Sequence, residues 1–111
     1  RVLLVQRAPH DSMPLRWEVP GGGCDEEDPS ILYSCARELF EETGLKAVGV
    51  GPLVRGGLGG QFFRSRSGKL VCKFQFVVAV DLDAGLRVKL DPNEHFAYIW
   101  ATEEEVRRKE V

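Results

Sequence analysis

The sequence predicts a mixed α/β (α+β) layered domain. Three observations carry that expectation. The elements run strand, loop, helix, several strands, helix. Asp28 to Gly44 has apolar residues at helical spacing, with Leu32, Cys35, Ala36, Leu39 and Thr43 on one side. Leu70 to Val80 alternates, with Leu70, Cys72, Phe74, Phe76 and Val78 pointing one way and Lys73 and Gln75 the other.

In chain order, the short apolar run Val2 to Gln6 predicts a buried strand. Ala8 to Arg16 is a loop, and Trp17–Glu18–Val19 is extended because residues ahead of Pro20 avoid helix. Gly21–Gly22–Gly23 forces an irregular turn. Asp28–Pro29 is a helix start, with an N-cap acceptor followed by proline at the first helical position. Asp25, Glu26 and Glu27 precede it, where the helix dipole favours acids. Gly44 ends the helix as a left-handed cap. Lys46 to Leu53 and Gln61 to Arg64 predict strands, with a turn over Ser65 to Gly68 before the Leu70–Val80 strand. Val88 and Leu90 belong to another short strand, Asp91 to His95 is a loop, and Ala97 to Trp100 is a final strand. Thr102 with Glu105 makes a capping box for a last helix.

The chain has 111 residues, 43% hydrophobic and 29% charged, which fits one globular domain spanning 1–111. Arg1 runs straight into the first strand, and Glu103 to Val111 read as an unfinished helix. The domain is therefore expected to be a piece of a longer protein. The longest nearly apolar stretch, Phe74 to Val80, is too short to cross a bilayer. Cys24, Cys35 and Cys72 are too few for a disulfide framework and form no zinc spacing with His10 and His95. A reducing, cytoplasmic compartment is expected, with Cys35 and Cys72 as small core residues. Charge is segregated. Glu18 to Glu42 holds eight acids and one base, Arg37; Lys46 to Val80 holds six bases and no acid. The first segment suits cations and the second an anion.

The helix carries the chemistry. Glu38, Glu41 and Glu42 differ by three and four positions, so they share one patch opposite the apolar side. Like charges at that spacing weaken a helix by about 0.2–0.5 kcal/mol per pair, and a divalent cation is the best compensation. Arg37, one residue before Glu38 and four before Glu41, can pair with and orient a carboxylate. The upstream glycines let bare backbone approach a ligand. Carboxylate oxygens suit Mg2+ or Mn2+. Magnesium keeps several waters and joins protein carboxylates to substrate phosphates, which makes a phosphate-bearing substrate the natural partner.

Trp17–Glu18–Val19–Pro20–Gly21–Gly22–Gly23, followed by Arg37–Glu38–Leu39–Phe40–Glu41–Glu42–Thr43–Gly44–Leu45, resembles the Nudix box, G-x5-E-x7-R-E-U-x-E-E-x-G-U with U a bulky aliphatic residue. The second half fits throughout. In the first half, five residues after Gly22 lead to Asp28 rather than glutamate, and eight residues rather than seven separate Asp28 from Arg37. This reads as a one-residue insertion, with Asp28 or Glu27 in the usual glutamate role.

The resemblance implies an α/β/α sandwich with a mixed β-sheet between helices. It implies that Glu38, Glu41 and Glu42 ligate the metal with the Gly22 carbonyl, that Arg37 orients a glutamate, and that Glu94 supplies a further acid. It further implies that water attacks phosphorus and cleaves a phosphoanhydride bond in a nucleoside diphosphate linked to another moiety. Glu42, Glu41 or Glu94 takes the proton. The expected partner is a nucleotide-derived small molecule, with no membrane and no structured nucleic acid. Arg55, Arg64, Arg66, Lys69 and Lys73 are candidates for holding substrate phosphate or sugar, against a solubilising surface. Phe62 and Phe63 are candidates for stacking on a base, against core packing. His95 is expected on the loop surface. The substrate stays open among a modified nucleoside triphosphate, ADP-ribose and another nucleotide sugar. The rival reading is a non-catalytic module of the same fold that senses a nucleotide or binds a protein.

Overall fold

The structure is a computed structural model; it describes residues 1–54, 61–64, 67–81 and 87–108. Strand β1 (Val2–Arg7) lies between β2 (Trp17–Glu18) and β7 (His95–Ala101) in an antiparallel sheet of order β2-β1-β7. Leu3, Leu4 and Val5 are all buried, because β1 is covered on both faces. Each such side chain contributes roughly 1.5–3 kcal/mol by leaving water. Ala8, Leu45 and Ala101 complete the buried apolar core among the described residues.

Two further antiparallel pairs are present: β3 (Ala47–Leu53) with β6 (Phe76–Val80), and β4 (Gln61–Arg64) with β5 (Leu70–Lys73). Every ladder among the described residues is antiparallel, so the parallel component of a mixed sheet is not seen there. The long strand expected over Leu70–Val80 is interrupted at Phe74 and Gln75. Its two halves pair with different partners, and the Gln75 carbonyl accepts from the Val54 amide at 2.8 Å instead of continuing one ladder. Leu70, Cys72 and Phe74 are exposed rather than buried, which also removes Cys72 from the core.

Helix α1 (Ile31–Thr43) packs against β3. It starts later than the Asp28–Pro29 pair suggests. Ser30 is the N-cap, its hydroxyl accepting from the Tyr33 amide, and no acid occupies the first turn. Asp28 is engaged by Arg37, so serine takes the capping role that either residue type can fill. The helix ends as expected at Gly44, whose φ of 73° is left-handed and whose amide donates to the Phe40 carbonyl. Its buried residues are Ser34, Glu42 and Thr43, while Leu32 is exposed and Cys35, Ala36 and Leu39 are half-buried.

Residues 87–90 form no strand. They run past the end of α1, and the Lys89 amide donates to the Thr43 carbonyl at 2.8 Å, satisfying a helix-terminal acceptor. Helix α2 (Glu103–Arg107) opens with the anticipated Thr102–Glu105 capping box. No helix among the described residues is long and apolar enough to cross a membrane.

Candidate functional site

Arg37 gathers the acids around the start of α1. Its Nε and Nη2 donate to the two oxygens of Asp28 at 3.1 and 2.9 Å, a bidentate charge-assisted pair. Nη1 donates to Glu38 and Glu41, both at 3.0 Å, and Nη2 also reaches the Gly23 carbonyl at 3.0 Å. Asp28 accepts in addition from the Ser34 hydroxyl and the Asp25 amide. The Arg37 hydrogen bonds, then those of Ser34 and Asp25, hold the Asp28 carboxyl well below the usual carboxylate range. Of the two acids considered for the first-half position, Asp28 therefore meets Arg37, whereas Glu27 is exposed.

Arg37 thus ties the glycine segment to the helix, and Gly22 closes the gap. A Cβ on Gly22 would collide with the Glu38 carboxylate, while Cβ atoms on Gly21 or Gly23 would meet nothing within 4 Å. Backbone approaches carboxylate at Gly22 because hydrogen is the only side chain that fits.

Glu42 sits deeper. It is 6% exposed, and its Oε1 accepts from the Gly21 amide at 3.2 Å. The sequence reading placed it on the face away from the core; the glycine segment folds over that face and buries it. Burial, opposed by the Gly21 amide and by His95 and reinforced by the charges of Glu94 and Glu38, pushes its carboxyl up to about 7. A carboxyl raised by burial and by neighbouring acids is a recognised mark of a working site.

His95 is the largest departure from expectation. It is no surface loop residue: it opens β7, is 4% exposed and pairs in register with Arg7. The β1–β7 register shifts between Gln6 and Arg7, an irregularity that carries the ladder on to His95. Nε2 of His95 lies 2.8 Å from Glu18 Oε2, and Glu18 Oε1 accepts from Arg7 at 3.2 Å. Nδ1 is buried with no hydrogen-bond partner. Ligand atoms of Glu42, Glu94 and His95 lie within 4.8 Å of one another, two carboxylates and one imidazole from α1, the preceding loop and β7.

That group differs from the trio Glu38, Glu41 and Glu42 expected from the box. Glu38 and Glu41 point to Arg37, and only Glu42 joins Glu94. Glu18 and His95 were missed. Glu18 stood beside the glycine run, a usable signal, but nothing in Asp91–Pro92–Asn93–Glu94–His95 announces a buried imidazole. Among the candidate substrate residues, Arg64 is exposed and donates to the Gly68 carbonyl at 3.0 Å. Phe62 and Phe63 lie in β4. Lys69 is exposed and Lys73 ends β5. Arg55 and Arg66 lie outside the described residues.

The donor set suits a divalent cation. Carboxylates converge, one is buried against other acids, and Gly22 lets the Glu38 carboxylate lie against bare backbone. The NUDIX domain family model matches residues 1–111. The chain belongs to the NUDIX domain family. It is 47% identical over 47 residues to an RNA pyrophosphohydrolase of Rhizobium meliloti (strain 1021), a match covering 41% of this chain and 27% of that protein. The MutT protein from Methanosarcina mazei Go1 has a similar structure, with TM-score 0.68 and 30% identity over 94% of this chain and 68% of that one. The E. coli ORF135 protein is likewise similar, with TM-score 0.70 and 27% identity over 96% of this chain and 67% of that one. The NUDIX fold of these neighbours agrees with the antiparallel sheets and helices described above.

Proposed function

We propose that this NUDIX chain is a hydrolase that cleaves a pyrophosphate bond in a nucleoside diphosphate linked to another moiety, by attack of water at phosphorus. The observation that carries the reading is the convergence of buried Glu42 with Glu94 beneath a glycine segment that Arg37 fastens to α1. Glu42 would hold a Mg2+ or Mn2+ ion, with Glu38 nearby. A bound divalent ion supplies positive charge against the diphosphate oxygens and makes water more acidic. The Gly21 amide fixes the Glu42 carboxylate. Arg37 keeps Glu38 and Glu41 oriented while remaining paired with Asp28. Glu94, the exposed member of the pair, receives the proton of the attacking water. Arg64, Lys69 and Phe62, with Arg55, are proposed for substrate phosphate and base.

Chromatographic separation of the cleavage products of a panel tests this: a modified nucleoside triphosphate, ADP-ribose and a nucleotide sugar, each split into two phosphate-bearing products, and an RNA with a 5′ di- or triphosphate, since one relative is an RNA pyrophosphohydrolase. Cleavage with Mg2+ is expected for at least one member, abolished by EDTA. Glu42→Gln is expected to lower it at least 100-fold, in line with removal of one charged group from a catalytic centre. An unmodified chain inert toward the whole panel with Mg2+ and with Mn2+ overturns the reading and favours a non-catalytic module.

A further inference from the structure

We infer that His95 supplies a nitrogen ligand to the cation, that Glu18 positions it for that task, and that the site consequently prefers Mn2+ over Mg2+. This rests on the reading that a cation is held at Glu42.

His95 has one buried ring nitrogen occupied and one empty. Nε2 is 2.8 Å from Glu18 Oε2. An ionised carboxylate only accepts hydrogen bonds, so the hydrogen of that contact belongs to Nε2, and the neutral ring, the form that binds a metal, then carries its lone pair on Nδ1. Nδ1 is buried without a partner. A lone pair in that position lacks the water it would bind in the unfolded chain, and few native side chains leave one so. A ring nitrogen of His95 lies within 4.8 Å of carboxylate oxygens of both Glu42 and Glu94, two anionic groups that cannot donate to it while ionised. A cation held by Glu42 and bound through Nδ1 would give that atom the partner it lacks, with Glu94 left beside it for the water.

The surroundings match what a metal-binding imidazole requires. Its other nitrogen is held by a carboxylate, which fixes tautomer and ring orientation. That carboxylate is anchored in turn by Arg7, and β1 brings Arg7 opposite His95 in the sheet. Sheet, not loop, therefore sets the direction of the ring. Magnesium favours oxygen-only surroundings, whereas manganese lies higher in affinity for sites that include nitrogen.

The test is electron spin-echo modulation of Mn2+ bound to the full chain. The sequence contains two histidines, His10 and His95, so histidine labelling leaves little ambiguity. Directly coordinated nitrogen modulation is expected, and labelling with 15N-histidine is expected to convert it to the 15N pattern. It should persist in His10→Gln and vanish in His95→Gln. Glu18→Gln is expected to lower Mn2+ affinity roughly tenfold, the lower end for loss of an orienting partner, while lowering Mg2+ affinity less. A merely structural role for Glu18 would weaken both ions equally and would overturn the positioning claim. Mn2+ binding with no histidine nitrogen modulation in the unmodified chain overturns the ligand assignment, whether or not His95→Gln folds. If hydrolysis persists in that case, the proposed function survives without this inference. Failure of both Mn2+ binding and hydrolysis removes the two together.

Discussion

In the proposed function Glu42 carries a charge in a place that disfavours one. Its carboxyl is pushed up to about 7 from an ordinary 4.5, first by burial. In cation-free protein the folded state therefore binds more protons than the unfolded chain between about pH 4.5 and 7. Stability must fall as pH rises through that window, by roughly 3 kcal/mol at most. Urea midpoints in EDTA at pH 5 and pH 8 check the sign. Glu42→Gln is expected to flatten this slope while leaving the fold in place, because glutamine keeps the shape without the charge. An unchanged slope in the variant would assign the effect to other groups.

At the scale of elements, the site is a junction between a glycine segment and a helix, and two substitutions separate its parts. Gly22→Ala forces the Glu38 carboxylate aside, since the new Cβ would occupy its place. Activity should drop at least tenfold with a small change in melting temperature, as expected when a positioned group moves by about 1 Å. Gly21→Ala and Gly23→Ala meet open space and should retain most activity. Comparable losses in all three would show that chain flexibility, rather than the approach to Glu38, is what the glycines provide. Asp28→Asn removes the partner that fastens Arg37, so it should destabilise the protein and speed amide exchange over residues 20–30. Glu27→Gln, at an exposed position, should do neither. The Asp28 contribution is present above the ordinary carboxylate pKa and lost as pH falls below it, because its folded-state pKa is depressed.

For the whole molecule, the proposed function links cation binding to folding. An ion that binds only the folded chain stabilises it by about 2.7 kcal/mol at a hundredfold excess over its Kd. Thermal melting should therefore rise with Mg2+ and return to baseline with EDTA. The gain should shrink below about pH 7, where the ion competes with the proton on Glu42. A Mg2+ effect independent of pH from 5 to 8 would place the ion away from Glu42.

Much of this was legible in the chain. Contiguous apolar residues announced β1, Gly44 announced the end of α1, and Thr102 with Glu105 announced the start of α2, because these signals are local in backbone and hydrogen-bonding terms. The spacing of Arg37, Glu38, Glu41 and Glu42 announced that Arg37 and its acids stand near one another for the same reason: helical geometry converts spacing into position. Tertiary structure decided the rest. The break at Phe74 and Gln75 depends on which partner each half-strand pairs with. Burial of Glu42 depends on a segment 21 residues away folding over it. His95 reaches Glu18 across 77 residues through a shifted register in the sheet. Sequence by itself determined which residue types were available for a cation and on which helix they stood. Only the fold decided which of them meet, since burial and long-range pairing are properties of surfaces that neighbouring residues in the chain do not share.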